Sequence, residues 1–247
     1  MSSRKRKPKP VRRNRGTRAR PARRKRARSA RGGGKVAARA QMRIPDARFP
    51  FPIASPGMRI GLFGGTFNPP HAAHRAASLL ALKRLGLDRV WWLVTPGNPL
   101  KDNLALKLPL QKRVEICAEI AAHPAIDVTG IEAALHTRYT RDTVAKLQAR
   151  FPQVRFVLVI GADNLVCFHR WKNWRALAAA VPIAVVDRPP YDLSALAAPA
   201  ARALARARID ESDAPMLPLL RPPAWVFLHG LKSELSSTAL RAAKRKG

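Results

Sequence analysis

The stretch MRIGLFGGTFNPPHAAH, residues 58–74, decides the fold. Its first six residues form a short apolar run closed by Gly64-Gly65, which reads as a buried strand. The two glycines let the backbone approach a ligand closely and adopt positive φ. Thr66 adds a hydroxyl and a backbone N–H, and Pro69 and Pro70 stiffen the loop before a helix that begins around His71. His71 and His74 are three residues apart, so both imidazoles share one face of the first helical turn, outside the core. A helix N-terminus already favours anions through its free N–H groups and dipole. Two imidazoles placed there can donate to phosphate oxygens. A Gly/Pro turn with surface histidines, or an HxxH metal pair, would use some of these residues. A phosphate-binding strand–helix junction uses all of them.

Working outward, RVWWLV (89–94) reads as a second strand, ended by the turn Pro96-Gly97-Asn98-Pro99. A helix is expected over 110–122, a strand near 126–131 and a helix near 141–150. VRFVLVIG (154–161) is the strongest strand, nearly continuous in β-branched and apolar residues. A helical stretch over 171–179, a strand at 181–186, an Ala/Arg-rich segment at 193–208 and a strand at 225–228 follow. A last short helix starts near Ser236. Strands alternate with helices and are apolar on both faces. This is the pattern of an α/β fold, a Rossmann-like, doubly wound parallel sheet with helices on both sides. Ligands in such sheets sit beyond the carboxyl ends of the strands, which directs attention to the loops after Phe63, Val94, Ile160 and Leu228.

The formal net charge of +32 is unevenly spread. Residues 1–50 hold 20 of the 47 Lys and Arg against a single acid, Asp46. From Met1 to about Arg39 large apolar side chains are almost lacking, so this arm cannot offset its ordering entropy and is expected to be disordered. Residues 40–57 read as a Pro-punctuated linker, giving a basic arm and linker over 1–57 and a folded domain over 58–247. Three readings fit the arm: a nucleic-acid or anionic-surface segment over residues 1–39, a solvated tail, or a start of translation downstream at Met42 or Met58. No apolar h-region follows the positive stretch and no run of about 18 apolar residues occurs, so neither secretion nor a membrane span is expected. Cys117 and Cys167 lack CxxC spacing and read as reduced core residues, in keeping with a cytoplasmic setting.

The loop GGTFNPPHAAH resembles that of the (T/H)xGH nucleotidyltransferase superfamily, which reads GGTFDPxHxGH. Asn68 stands where the family usually has Asp, so no metal or acid/base role falls to it, and Ala73 replaces a Gly. TPGNPLKDN (95–103) is similar to the loop after the second strand of bacterial nicotinate-nucleotide adenylyltransferases, with Lys101 within reach of a phosphate. RYTRDTVAKL (138–147) resembles that family's SYTxDT segment, with Arg138 in place of Ser. IGADNLVCFHRWKNWRAL (160–177) is similar to its GxDxxxxxxxWxxW stretch, and LSSTALR (235–241) to its ISSTxIR motif.

The resemblance covers residues 58–242 and implies adenylyl transfer from ATP to nicotinate mononucleotide, giving deamido-NAD and pyrophosphate. It implies ATP-binding residues Gly64, Gly65, Thr66, Phe67, His71, His74, Lys101, Gly161, Asp163, Ser236, Ser237, Thr238 and Arg241. His74, His71 and Arg241 would act on the phosphates. Tyr139 and Thr140 would lie at the nicotinate nucleotide, with Trp171 as a flat stacking face for its pyridinium ring and Trp174 as a core residue. Mg²⁺ would be delivered with ATP, since no carboxylate cluster suggests a dedicated cage. Two other functions remain open: another small-substrate nucleotidyltransferase, of the phosphopantetheine adenylyltransferase type, or a nucleic-acid-binding protein acting through the arm.

Overall fold

The computed structural model describes residues 49–97, 108–187 and 192–230. Six strands form one all-parallel sheet: β1 (Arg59–Gly65), β2 (Arg89–Val94), β3 (Ile126–Thr129), β4 (Arg155–Gly161), β5 (Ile183–Val186) and β6 (Trp225–Leu228). Their order is β3-β2-β1-β4-β5-β6. The chain winds outward from β1 to β3, then crosses to β4 and winds the other way. Strand order therefore reverses between β1 and β4, the doubly wound arrangement expected from the sequence.

The strands carry apolar residues on both faces because both faces are covered. On one face Ile60, Leu62, Trp91 and Leu158 pack against α3 (Ile131–Ala134), α4 (Thr140–Arg150), α5 (Ala162–Cys167) and α6 (Trp174–Ala178). On the other, Phe63, Val90, Trp92 and Val157 pack against α1 (Ala72–Leu85) and α2 (Leu110–Ala121). Helix α1 ends at Gly86, which takes the left-handed conformation with φ 58°. Cys117 is buried in the second core, where desolvation pushes its thiol up to about 12, and Cys167 is also a free thiol. Among the described residues no helix is long and apolar enough to cross a membrane.

Several boundaries differ from the sequence expectation. The third strand stops at Thr129 because Gly130 turns the chain into α3, which takes Ile131. The stretch read as one helix over 171–179 begins only at Trp174, since Asn173 sits in the left-handed region with φ 52°. Helix α5 and a 3-10 turn at Phe168–Arg170 precede it. The Ala/Arg-rich segment is divided among α7 (Asp192–Leu196), α8 (Pro199–Ala203) and a 3-10 turn at Ala205–Ala207. A further 3-10 helix, Glu211–Leu219, has no counterpart in the sequence reading; Pro215 and Pro218 inside it deny the backbone α-helical hydrogen bonds. The expected helix near Ser236 and the basic arm over 1–39 lie outside the described residues.

Two interactions position the functional end of the sheet. Arg113 of α2 is only 2% exposed, and its guanidinium is taken up by main-chain carbonyls. Nη1 donates to Thr66 O and Thr95 O, both at 2.8 Å, and Nη2 to Pro96 O at 3.3 Å. The loops leaving β1 and β2 are thereby tied to one cation. Phe49, at the end of the segment read as linker, is 5% exposed, and its ring lies where a Cβ on Gly130 would have to go. Phe51 packs beside it, edge-on to Phe151 at 5.4 Å. Apolar anchoring thus reaches back to Phe49, nine residues before Met58.

Arg113→Met strands three carbonyl acceptors, each costing about 1–3 kcal/mol when left unpaired in the interior. A loss of roughly 3 kcal/mol in urea unfolding is expected, and a loss below about 1 kcal/mol would show that the clamp is dispensable. A chain beginning at Met42 should melt as the whole chain does. One beginning at Met58 forfeits the Phe49 ring, a loss of about 3–5 kcal/mol by analogy with Phe→Ala in cores. Equal melting temperatures for the two truncations would contradict this packing.

Candidate active site

A cleft of ≈ 330 Å³ opens at the switch point, beyond the carboxyl ends of β1 and β4. That volume falls within the range of small-molecule sites. Gly64, Gly65 and Thr66 form one wall, with Thr95 and Gly97 from the loop after β2 beside them. A Cβ on Gly64 would meet nothing within 4 Å, so the backbone here is bare to an incoming group. Tyr139 and Thr140, at the start of α4, and Trp171, just before α6, also line the cleft, over a floor of Leu158, Ile160 and Leu177. Six of the residues singled out from the sequence therefore converge: Gly64, Gly65, Thr66, Tyr139, Thr140 and Trp171. Trp174, by contrast, is 9% exposed and belongs to the core beside Phe168.

The two histidines occupy the other face of the sheet's edge, at the start of α1. His71 is the residue capping α1, and its backbone N–H donates to Nδ1 of His74 at 3.2 Å. An imidazole that accepts at Nδ1 carries its hydrogen at Nε2, so this bond sets His74 as a donor through Nε2. The His74 ring lies against Phe67, centroids 4.9 Å apart, within 6.1 Å of Phe63 and 6.0 Å of Trp92. Its main-chain oxygen accepts from Ser78 Oγ, which in turn accepts from Trp92 Nε1 at 2.7 Å. The imidazole is thus held by an aromatic bed and a main-chain donor. His71 departs from the sequence expectation, for it is buried, 5% exposed, with its ring centroid 3.8 Å from that of His74. The reason is local: as the residue capping α1, His71 lies against the first helical turn with its ring beside that of His74.

Phe67 is likewise a core side chain. Its ring is 2% exposed and stacks on Trp92 at 4.9 Å and 10°. Only its backbone, held at φ 45°, is left to meet a nucleotide. Gly161 ends β4, and a Cβ there would collide with the Asp163 carboxylate, which lies back over the strand end. Neither residue lines the cleft, although Ile160 and Asn164 beside them do. Lys101, Ser236, Ser237, Thr238 and Arg241 lie outside the described residues.

The cleft also contains residues that sequence reasoning passes over: Thr95, Glu132, Arg138, Asn164, Arg170 and Lys172. In the sequence Arg138 stands out only as a departure from the family's Ser. Arg170 and Lys172 flank Trp171, and the HRWK run around that tryptophan was the available signal. Glu132 is an acid within the apolar run IEAA, and the residue is 8% exposed. Burial pushes this carboxyl above the usual range, opposed by hydrogen bonds from Thr143 and Thr95. The remaining charged lining is cationic, which suits an anionic ligand. No three His, Cys, Asp or Glu among the described residues converge as a metal cage.

The chain matches the family described as cytidylyltransferase-like over residues 62–243. It is 60% identical over 184 residues to a "Probable nicotinate-nucleotide adenylyltransferase" of Bradyrhizobium sp. (strain ORS 278), covering 74% of this chain and 95% of that one. To the protein of the same name from Mesorhizobium japonicum it is 53% identical over 190 residues, covering 77% and 97%. The solved structure of Plasmodium falciparum nicotinic acid mononucleotide adenylyltransferase complexed with NaAD shares the fold, with a TM-score of 0.54. Identity there is 17%, over 75% of this chain and 83% of the other. A Gly-Gly-Thr loop at a sheet switch point, two histidines at the following helix and relatives matched over nearly their whole length lead to one conclusion. The chain belongs to the cytidylyltransferase-like family, among the nicotinate-nucleotide adenylyltransferases.

Proposed function

We propose that the protein transfers the adenylyl group of ATP to nicotinate mononucleotide, giving nicotinate adenine dinucleotide (deamido-NAD) and pyrophosphate, a step of NAD biosynthesis carried out in the cytoplasm. The observation that carries this reading is the division of the site by the edge of the sheet. A cationic cleft with an aromatic face lies on one side, and a pair of helix-capping histidines on the other, joined by Gly64–Thr66. The cleft takes the mononucleotide, with Trp171 against the pyridine ring and Tyr139 and Thr140 at its carboxylate. The histidine side takes ATP.

The acceptor's phosphate oxygen forms a bond to the α-phosphorus of ATP as the bond to the bridging oxygen breaks, and that electron pair leaves with pyrophosphate. A phosphate nucleophile is ionised near neutral pH, so no strong base is required. The protein's task is in-line positioning and stabilisation of charge on the equatorial oxygens. His74 serves it through Nε2–H, with Nδ1 fixed by the His71 main chain. His71 and Arg241 are assigned to the β- and γ-phosphates, with Lys101 and Ser236–Thr238 alongside, by their match to the family motifs. Thr66 and the backbone of Gly64, Gly65 and Phe67 approach the same phosphates, and Gly161 and Asp163 the ribose. Mg²⁺ would be delivered with ATP and would supply charge neutralisation on its phosphates, the described residues offering no carboxylate cage of their own for it. The basic arm, residues 1–39, is proposed to take no part in the transfer, its density of Lys and Arg being suited to weak contact with nucleic acid.

Product identity tests the function directly. Purified protein given ATP with nicotinate or nicotinamide mononucleotide should adenylylate the nicotinate form far better, since a donor bonds a carboxylate more strongly than an amide. Equal kcat/KM for both removes the substrate assignment and leaves the reaction class standing. His74→Ala should reduce kcat by about 10²–10³, the scale for loss of one preorganised oxyanion donor, with little change in KM for ATP. His71→Ala should raise KM for ATP more than it lowers kcat. Because His71 is buried, that variant should also melt at a lower temperature than His74→Ala. A near-normal kcat in His74→Ala would overturn its role.

A further inference from the structure

Glu132 lies in α3, just past the end of β3, in the wall of the cleft. The residue is 8% exposed and lines the cleft. No described cation forms an ion pair with it. A buried carboxyl without a countercharge is costly, and an apolar residue would fill the position at less cost to stability. Its hydrogen bonds show what it gains. Thr143 Oγ1, in α4, donates to Oε1 at 3.0 Å and lies 2.8 Å from Thr137 Oγ1. The carboxyl is also hydrogen-bonded to the Thr95 side chain, from the loop after β2. One side chain therefore joins two walls of the cleft, the Thr95–Gly97 loop and the turn that presents Arg138, Tyr139 and Thr140.

The hydroxyl protons decide what kind of group fits there. Thr95 has a single hydroxyl hydrogen and donates it to Gly97 O at 2.8 Å, closing its own loop. The same hydrogen is shared with the Glu132 carboxyl, whose Oε1 accepts from Thr143. Glutamine bridges the same two hydroxyls, accepting from Thr143 through Oε1 and donating to Thr95 Oγ1 through Nε2. Alanine or leucine reproduces neither.

We propose that Glu132 is a positioning residue for the acceptor nucleotide, holding the Thr95 loop and the Arg138–Thr140 turn at the separation the mononucleotide needs. It acts through Thr95 and Thr143, not on the reacting phosphate. The proposal rests on the reading of this cleft as the acceptor half of the site. ATP, on the histidine side of the sheet edge, is not affected by it.

The test is steady-state kinetics of the full chain with ATP and nicotinate mononucleotide. Glu132→Ala should raise KM for the mononucleotide about tenfold, the worth of one hydrogen-bonded link, with KM for ATP within about twofold. Glu132→Gln should restore the mononucleotide KM to within about threefold of the wild type. If Glu132→Ala fails to fold, Thr143→Val removes one arm of the link at constant shape and should show the same split at smaller size. An unchanged mononucleotide KM in the folded alanine variant, or in Thr143→Val where that variant fails to fold, overturns the assignment. So does an equal rise in both KM values, or a glutamine variant as impaired as alanine. Failure of the substrate reading looks different. Wild-type protein would then turn over another acceptor, and the same split is measured on that acceptor.

Discussion

The architecture of the site depends on a buried cation that has no acid for a partner among the described residues. Arg113 projects from α2 into the sheet's edge and spends its guanidinium on the carbonyls of Thr66, Thr95 and Pro96. Taking a guanidinium out of water is unfavourable, and burial pushes Arg113 below its usual pKa. Three carbonyl dipoles in place of one carboxylate leave the charge unneutralised, which favours anions nearby. The same bonds fix the first turns after β1 and β2 in relation to each other. Those are the turns that supply Gly64–Thr66 and Thr95–Gly97 to the cleft. A carboxylate partner would hold the arginine but not the loops.

Around that clamp the site is divided by the plane of the sheet. Period-two alternation sends Ile60 and Leu62 to one core and Phe63 to the other, and the 64–70 loop crosses the edge between them. On one side it meets the cleft with Arg138, Arg170 and Lys172, on the other the His71–His74 pair on its aromatic bed. Two substrates approaching from opposite sides of one glycine-rich turn would bring their phosphates together there. This is the geometric requirement of a transfer between two nucleotides, and it needs little acid or base from the protein.

Much of this was legible in the sequence. The strands are short, apolar on both faces and separated by helical spacing, so a two-sided parallel sheet was the consistent solution. The first loop announced itself by residue type, because glycine, threonine and histidine at a strand–helix junction have a shared use. Arg113 was not legible. In LQKRVEIC it looks like one of several charges on a solvated helix face, and only the tertiary position of α2 buries it. Glu132 was hidden for the opposite reason, as a lone acid in an apolar run that periodicity assigns to core. Phe49 was lost within a Pro-rich linker whose composition gave no hint of a ring-sized gap over Gly130. The break at Asn173 depends on a left-handed backbone that nothing in the local pattern of apolar residues demands.

In the proposed mechanism His74 stabilises charge and forms no bond to phosphorus, so that one displacement joins the two nucleotides. The stereochemical course at the α-phosphorus measures this directly, using ATP made chiral at that centre with sulfur and the configuration of the dinucleotide product. A single in-line attack by the acceptor phosphate predicts inversion. Retention would require two displacements through an adenylylated protein side chain, and would contradict both the role of His74 as a donor and the direct meeting of the two phosphates at the glycine-rich turn.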